Sequence, residues 1–197
     1  MLSFLTSFLL VAGLLQGPGS KPVAAPGPAT AAKPGAVSPI PWSASRPLNM
    51  ADFKARPGGY AQLAALTSSD IKAGAACRDF VFTGTVQATF DPNNSWFRSP
   101  KTATPELLRH EQIHFDITEV YARIMRQKLL IFQARADCNK LQPAFSNLTK
   151  GVYADWEREQ NRYDAETNHG LNAARQAYWD KQTQLKLTQL QTFAAKE

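Results

Sequence analysis

The spacing of apolar positions changes character near residue 104. Before it, RDFVFTGTVQATF at residues 78–90 partly alternates apolar with polar positions and is rich in Phe, Val and Thr, which predicts one or two strands of a half-buried sheet. DPNNS, residues 91–95, carries turn chemistry, and Trp96 and Phe97 return the chain to the core. After it, the period lengthens to that of a helix. Thr104 suits an N-cap, Pro105 the first helical position, and Glu106 complements the helix dipole. Leu107, His110, His114, Ile117, Tyr121 and Ile124 follow at steps of three and four, so one helix should run to about Ala136, with Cys138 at its end. LQPAF, with Pro143, predicts a break. A second helical region should start near Gly151 and carry Trp156, Tyr163, Tyr178 and Trp179, with Gly170 placed to interrupt it. The final KQTQLKLTQLQTFAAKE reads as a polar amphipathic helix packed across the domain. These elements predict an α+β fold in which a small, mainly antiparallel sheet packs against one long helix and further C-terminal helices.

The N-terminal fifth has no such periodicity. Residues 1–15, MLSFLTSFLLVAGLL, form an apolar run of signal-peptide length, too short for an ordinary membrane span, and read as a signal peptide or N-terminal anchor. Residues 16–41 are Pro/Ala/Gly-rich and read as an extended linker, leaving residues 42–197 as one domain. The formal charge of +6 directs attention to nucleic acid and anionic surfaces, but the basic residues are scattered and no Lys/Arg block exists. Solvated helix faces account for them. No nucleic-acid partner is expected, a membrane is met only through the N-terminal segment, and the chain should be a monomer. Cys77 and Cys138, an even pair behind an export segment, predict a disulfide. Closing a loop of 61 residues stabilises by about 4 kcal/mol. Localisation should be secreted or periplasmic.

The predicted long helix carries HEQIH. Residues at i and i+4 share a helix face, so His110 and His114 can bind one metal ion, and Zn2+ suits two imidazoles. Both lie on the apolar stripe, where a buried imidazole needs a partner. Glu111, at the edge of that face, is placed to take a proton from water and pass it to a leaving amine. The extended motif that supplies a third ligand nearby is absent, since Ile117 and Val120 occupy the places of its glycine and last histidine. The third ligand must come from farther along, and NRYDAETNHG, residues 161–170, offers His169 first, then Glu166 and Asp164. A carboxylate there that does not bind the metal can orient a ligand imidazole. Tyr163 is a candidate hydrogen-bond donor to an oxyanion. Asp116 should be solvated or ion-paired, and Glu119 should pair with Arg123 at i, i+4.

WSASRPLNMADFKARP, AALTSSDIKAG, NNSWF, LLRHEQIHFDITEVYARIMRQKL and NRYDAETNHGLN together resemble a bacterial family of predicted secreted zinc-dependent proteases, over roughly residues 42–179. The resemblance implies an exported zinc protein with a zincin-like helix. It also implies His110 and His114 as ligands, Glu111 as catalytic base and His169 as a third ligand. Ile113 departs from the pattern, standing where a small glycine would be expected. The reading is thus a secreted or periplasmic zinc peptidase acting on a protein or peptide substrate. Its rivals are a non-catalytic zinc-binding envelope module and an amidase that uses the same site on cell-wall peptides.

Overall fold

The computed structural model describes residues 37–58, 62–133 and 137–196. The apolar leader and most of the linker therefore lie outside the described residues. Within them the fold is α+β, with two small antiparallel sheets and three helices. Pairing begins at Ile40, ahead of the boundary drawn at Trp42. Ile40–Pro41 forms β1 against β4 (Val81–Phe90), and the Trp42 amide extends the contact to the Ala88 carbonyl at 3.0 Å. Proline is tolerated there because β1 is an edge strand.

β3 (Ser69–Arg78) and β4 form a ten-residue hairpin, Ser69 opposite Phe90 and Arg78 opposite Val81. Arg78 thus belongs to the first strand of the hairpin and not to the predicted one. β3, SDIKAGAACR, is poor in β-branched residues, and its pairing with β4 overrides its weak propensity. Asp79 and Phe80 join the strands with φ of 51° and 62°, the left-handed pair that a tight two-residue hairpin needs. β2 (Ala65–Leu66) and β5 (Trp96–Phe97) make the second sheet.

α1 (Pro105–Gln133) is the axis of the domain. Its first turn is capped as the sequence predicts, with the Leu107 amide donating to Thr104 Oγ1 at 3.2 Å. Phe115, Ala122 and Met125 pack on Ile71, Ala88 and Phe90 of the hairpin, while Ile113 and Ile117 pack on Tyr163 and Trp179 from the other helices. α2 (Leu141–Thr167) starts well ahead of Gly151. Pro143 therefore does not mark a break. It lies in the first turn of α2, where no backbone N–H is required, and the interruption falls before it. Cys77 and Cys138 form the predicted disulfide, tying the end of β3 to the turn that enters α2. Gly170, at φ 84°, separates α2 from α3 (Ala173–Gln189). No described helix is long and apolar enough to cross a membrane.

Asp116 takes the ion-paired of the two expected states and is not solvated. It is buried, accepts hydrogen bonds from Trp42 Nε1 at 2.9 Å and Gln112 Nε2 at 2.7 Å, and meets Arg109 at 3.5 Å. Burial, only partly offset by those donors, raises its pKa. Glu119 pairs with Arg123 at 2.8 Å as predicted, and also with Arg126.

Candidate metal centre

HEQIH lies in the N-terminal third of α1, on the face that meets α2, with His110 2% exposed and Glu111 3% exposed. Three ring and carboxylate atoms converge there. His110 Nε2 and His114 Nε2 are 3.3 Å apart, and Asp164 Oδ1 stands 3.2 Å from the first and 3.0 Å from the second. Ligands about 2.0 Å from a tetrahedral zinc stand about 3.3 Å from one another, so this triangle has the size of one face of such a site.

The outer ring of hydrogen bonds fixes which imidazole nitrogens face inward. His114 Nδ1 lies 2.7 Å from Gln160 Oε1, and His110 Nδ1 lies 3.1 Å from Gln176 Oε1. The orientation of the Gln160 amide is set by its Nε2, which donates to the His114 carbonyl at 2.9 Å and to Thr118 Oγ1 at 3.1 Å. Gln176 Nε2 donates to the Tyr163 hydroxyl at 2.8 Å. A glutamine carbonyl only accepts, so each Nδ1 carries a proton and each Nε2 is left to face Asp164. A proton or a cation must sit among these atoms. Burial works against charging His114, but its hydrogen bond to Asp164 and the carboxylates of Glu111 and Asp164 outweigh it, and its pKa is raised. Burial alone would raise Asp164, yet hydrogen bonds from the two imidazoles hold its carboxyl well below the usual range. Together, the two imidazoles and one carboxylate form a donor set suited to zinc.

The remaining candidates fall elsewhere. α2 ends at Thr167, and Asn168, His169 and Gly170 all take positive φ, at 50°, 53° and 84°. That turn sends Glu166 and His169 in different directions. Glu166 faces α3, accepting from Trp179 Nε1 and pairing with Arg175. His169 is 55% exposed at the cleft, with Nδ1 3.4 Å from Asp164 Oδ1, beside the three-atom group and not within it. Tyr163 is fully buried behind the histidines, stacked on the His110 ring at 4.7 Å, and its hydroxyl donates to the His110 carbonyl at 3.2 Å. Burial pushes that hydroxyl far above its usual range, so it remains a donor. Its place is that of a support for His110 and not of a group facing the cleft.

Gln160 and Gln176 were not anticipated from the sequence, and Asp164 was ranked behind His169. The signal for the first and third was present: Gln160 and Asp164 are four apart inside the helix predicted from Gly151, so they share a face. Gln176 gives no local signal.

A cleft of about 540 Å³ opens over the triangle. Its floor is α1, through Leu107, His110, Glu111 and His114. One wall is residues 63–69, including β2, and the other is α2, through Trp156, Glu157, Gln160 and Asp164. Thr67 Oγ1 donates to the Glu111 carbonyl at 3.2 Å, fastening the strand wall to the helix floor. The Glu111 carboxylate itself has no hydrogen-bond or ion-pair partner among the described residues. Among the described residues no fully buried side-chain polar atom lacks a partner, so its oxygens reach the cleft that Glu111 lines.

Comparison with curated proteins and with solved structures returns no match. The family model described as "Bacterial protein of unknown function (DUF922)" matches residues 50–170, a span that includes HEQIH, Asp164 and the left-handed turn, and the chain belongs to that family.

Proposed function

We propose that this protein is a zinc-dependent peptidase working in an oxidising compartment outside the cytoplasm, with His110, His114 and Asp164 as metal ligands and Glu111 as general base. The observation that carries this reading is Glu111. It is a buried carboxylate with no hydrogen-bond or ion-pair partner among the described residues, on the helix that supplies two of the three ligand atoms, and it opens onto the same cleft. A structural zinc site is closed by four protein ligands, whereas the described residues bring three together under an open cleft. When bound, zinc supplies a Lewis acid that polarises an amide carbonyl and acidifies water. Glu111 takes the proton from the attacking water and gives it to the departing amine. Asp164 and the two imidazoles hold the charge, while Gln160 and Gln176 hold the imidazoles. The strand wall offers an extended peptide a surface to lie along, which supports a zincin-like arrangement and a peptide substrate. The Cys77–Cys138 disulfide supports the compartment.

The test is zinc content and peptide cleavage of the wild type beside Glu111→Gln, Asp164→Ala and His169→Ala. One zinc per chain, kept in Glu111→Gln while cleavage disappears, is the expected result. Asp164→Ala should lose zinc and His169→Ala should retain it. Cleavage that persists in Glu111→Gln would overturn the assignment of the base, and zinc lost with His169 in place of Asp164 would overturn the ligand set.

A further inference from the structure

The lining of the cleft has a charge that the chain as a whole does not. The protein has 22 Lys and Arg against 16 Asp and Glu, yet among the described residues no lysine or arginine lines the cleft, while Glu111, Glu157 and Asp164 do. Asp164 is held by the imidazoles and Glu111 is the base of the proposed reaction, which leaves Glu157. Its neighbours on α2 are all engaged: Asp155 with Arg158, Glu159 with Arg162 and Lys186, Glu166 with Arg175. Glu157 is exposed at the rim and has no hydrogen-bond or ion-pair partner among the described residues.

We infer that the cleft selects peptides bearing a lysine or arginine near the scissile bond, and that Glu157 is the residue that selects them. This rests on the peptidase reading above. Glu157 precedes Asp164 by two helical turns on one face of α2, about 10 Å along the axis at 1.5 Å per residue. An extended peptide advances about 3.3 Å per residue, so that distance corresponds to about three residues from the bond beside the metal ligands. The reach of a long basic side chain widens this to about two to four. Trp156, half-buried beside Glu157 in the same wall, offers an apolar surface for the alkyl stem. The charged side chains that α2 brings to this wall among the described residues are Glu157 and Asp164, so acidic peptides are disfavoured.

The experiment uses decapeptide mixtures fixed at one position as Lys, Ala or Glu, with cleavage sites read by mass spectrometry. The same labelled peptides are titrated by fluorescence anisotropy onto zinc-loaded Glu111→Gln. Lys peptides should exceed Glu peptides about tenfold in kcat/KM and in affinity, as expected for one rim charge acting by attraction and repulsion. The ratio should fall toward unity in Glu157→Gln and invert in Glu157→Lys, with zinc content unchanged. It should also shrink as salt is raised. Equal cleavage and binding of Lys, Ala and Glu peptides, or a preference that survives Glu157→Lys, overturns the inference and leaves the peptidase reading in place. Absence of any cleavage that depends on Glu111 overturns the peptidase reading itself.

Discussion

Two glycines should respond to the same substitution with opposite signs. Gly170 stands at φ 84°, and a Cβ there would lie 3.1 Å from His110 Cγ, 3.2 Å from its Cβ and 3.3 Å from Nδ1. The left-handed conformation alone costs an L-residue roughly 1–2 kcal/mol. The contact adds to this, because the His110 ring is stacked on Tyr163 and tethered through Nδ1 to Gln176, leaving it little room to shift. Gly151 sits inside α2, exposed, with nothing within 4 Å of its would-be Cβ. Alanine there gains about 0.8–1 kcal/mol of helix propensity. Urea denaturation of the metal-free variants should therefore show Gly170→Ala destabilised by at least about 1–2 kcal/mol and Gly151→Ala stabilised by nearly 1 kcal/mol. For a domain of this size each kcal/mol corresponds to about 2–4 °C in Tm. Gly170→Ala should also weaken zinc binding, measured by chelator competition, by about tenfold or more, since the displaced atom is a ligand's ring. Wild-type stability together with wild-type zinc affinity in Gly170→Ala would refute the account of how the turn braces His110. Destabilisation by Gly151→Ala would refute the continuous α2.

Two further outcomes follow from the same structure. Gln160→Ala and Gln176→Ala, each removing the carbonyl that holds a ligand's Nδ1–H, should lower zinc affinity by about 10–100-fold while the apo fold persists, as chelator competition and circular dichroism would show. Asp116, whose pKa is raised by burial, favours folding in its protonated form; that contribution is complete below the unfolded carboxylate's pKa and is lost as pH rises through the raised folded value. Asp116→Asn keeps an acceptor for Trp42 and stays neutral, so its stability relative to the wild type should improve as pH climbs from about 3 to 7; an unchanging difference across that range would contradict the raised pKa.

The local chemistry of α1 was legible in the sequence because a helix turns spacing directly into geometry. Thr104, Pro105 and the three-and-four spacing of HEQIH placed two imidazoles on one inward face before any neighbour was known. The disulfide followed from parity and context, and the second strand of the hairpin from its Phe, Val and Thr. What completes the candidate metal centre comes from α2 and α3, and nothing local encodes which of their side chains reaches α1. Reading Pro143 as a break shortens α2 only at its start; Gln160 and Asp164 lie within the helix predicted from Gly151, and it is the partner that their shared face meets which the spacing does not name. Residue type favours His169 as a ligand; three successive left-handed residues end the helix and leave it exposed beside the group, with Nδ1 3.4 Å from Asp164 Oδ1, while Asp164, still inside the last helical turns, enters the triangle. The cleft is decided by tertiary structure alone: its strand wall is a two-residue element whose position depends on pairing with Trp96–Phe97 and on one hydroxyl donating to the Glu111 carbonyl.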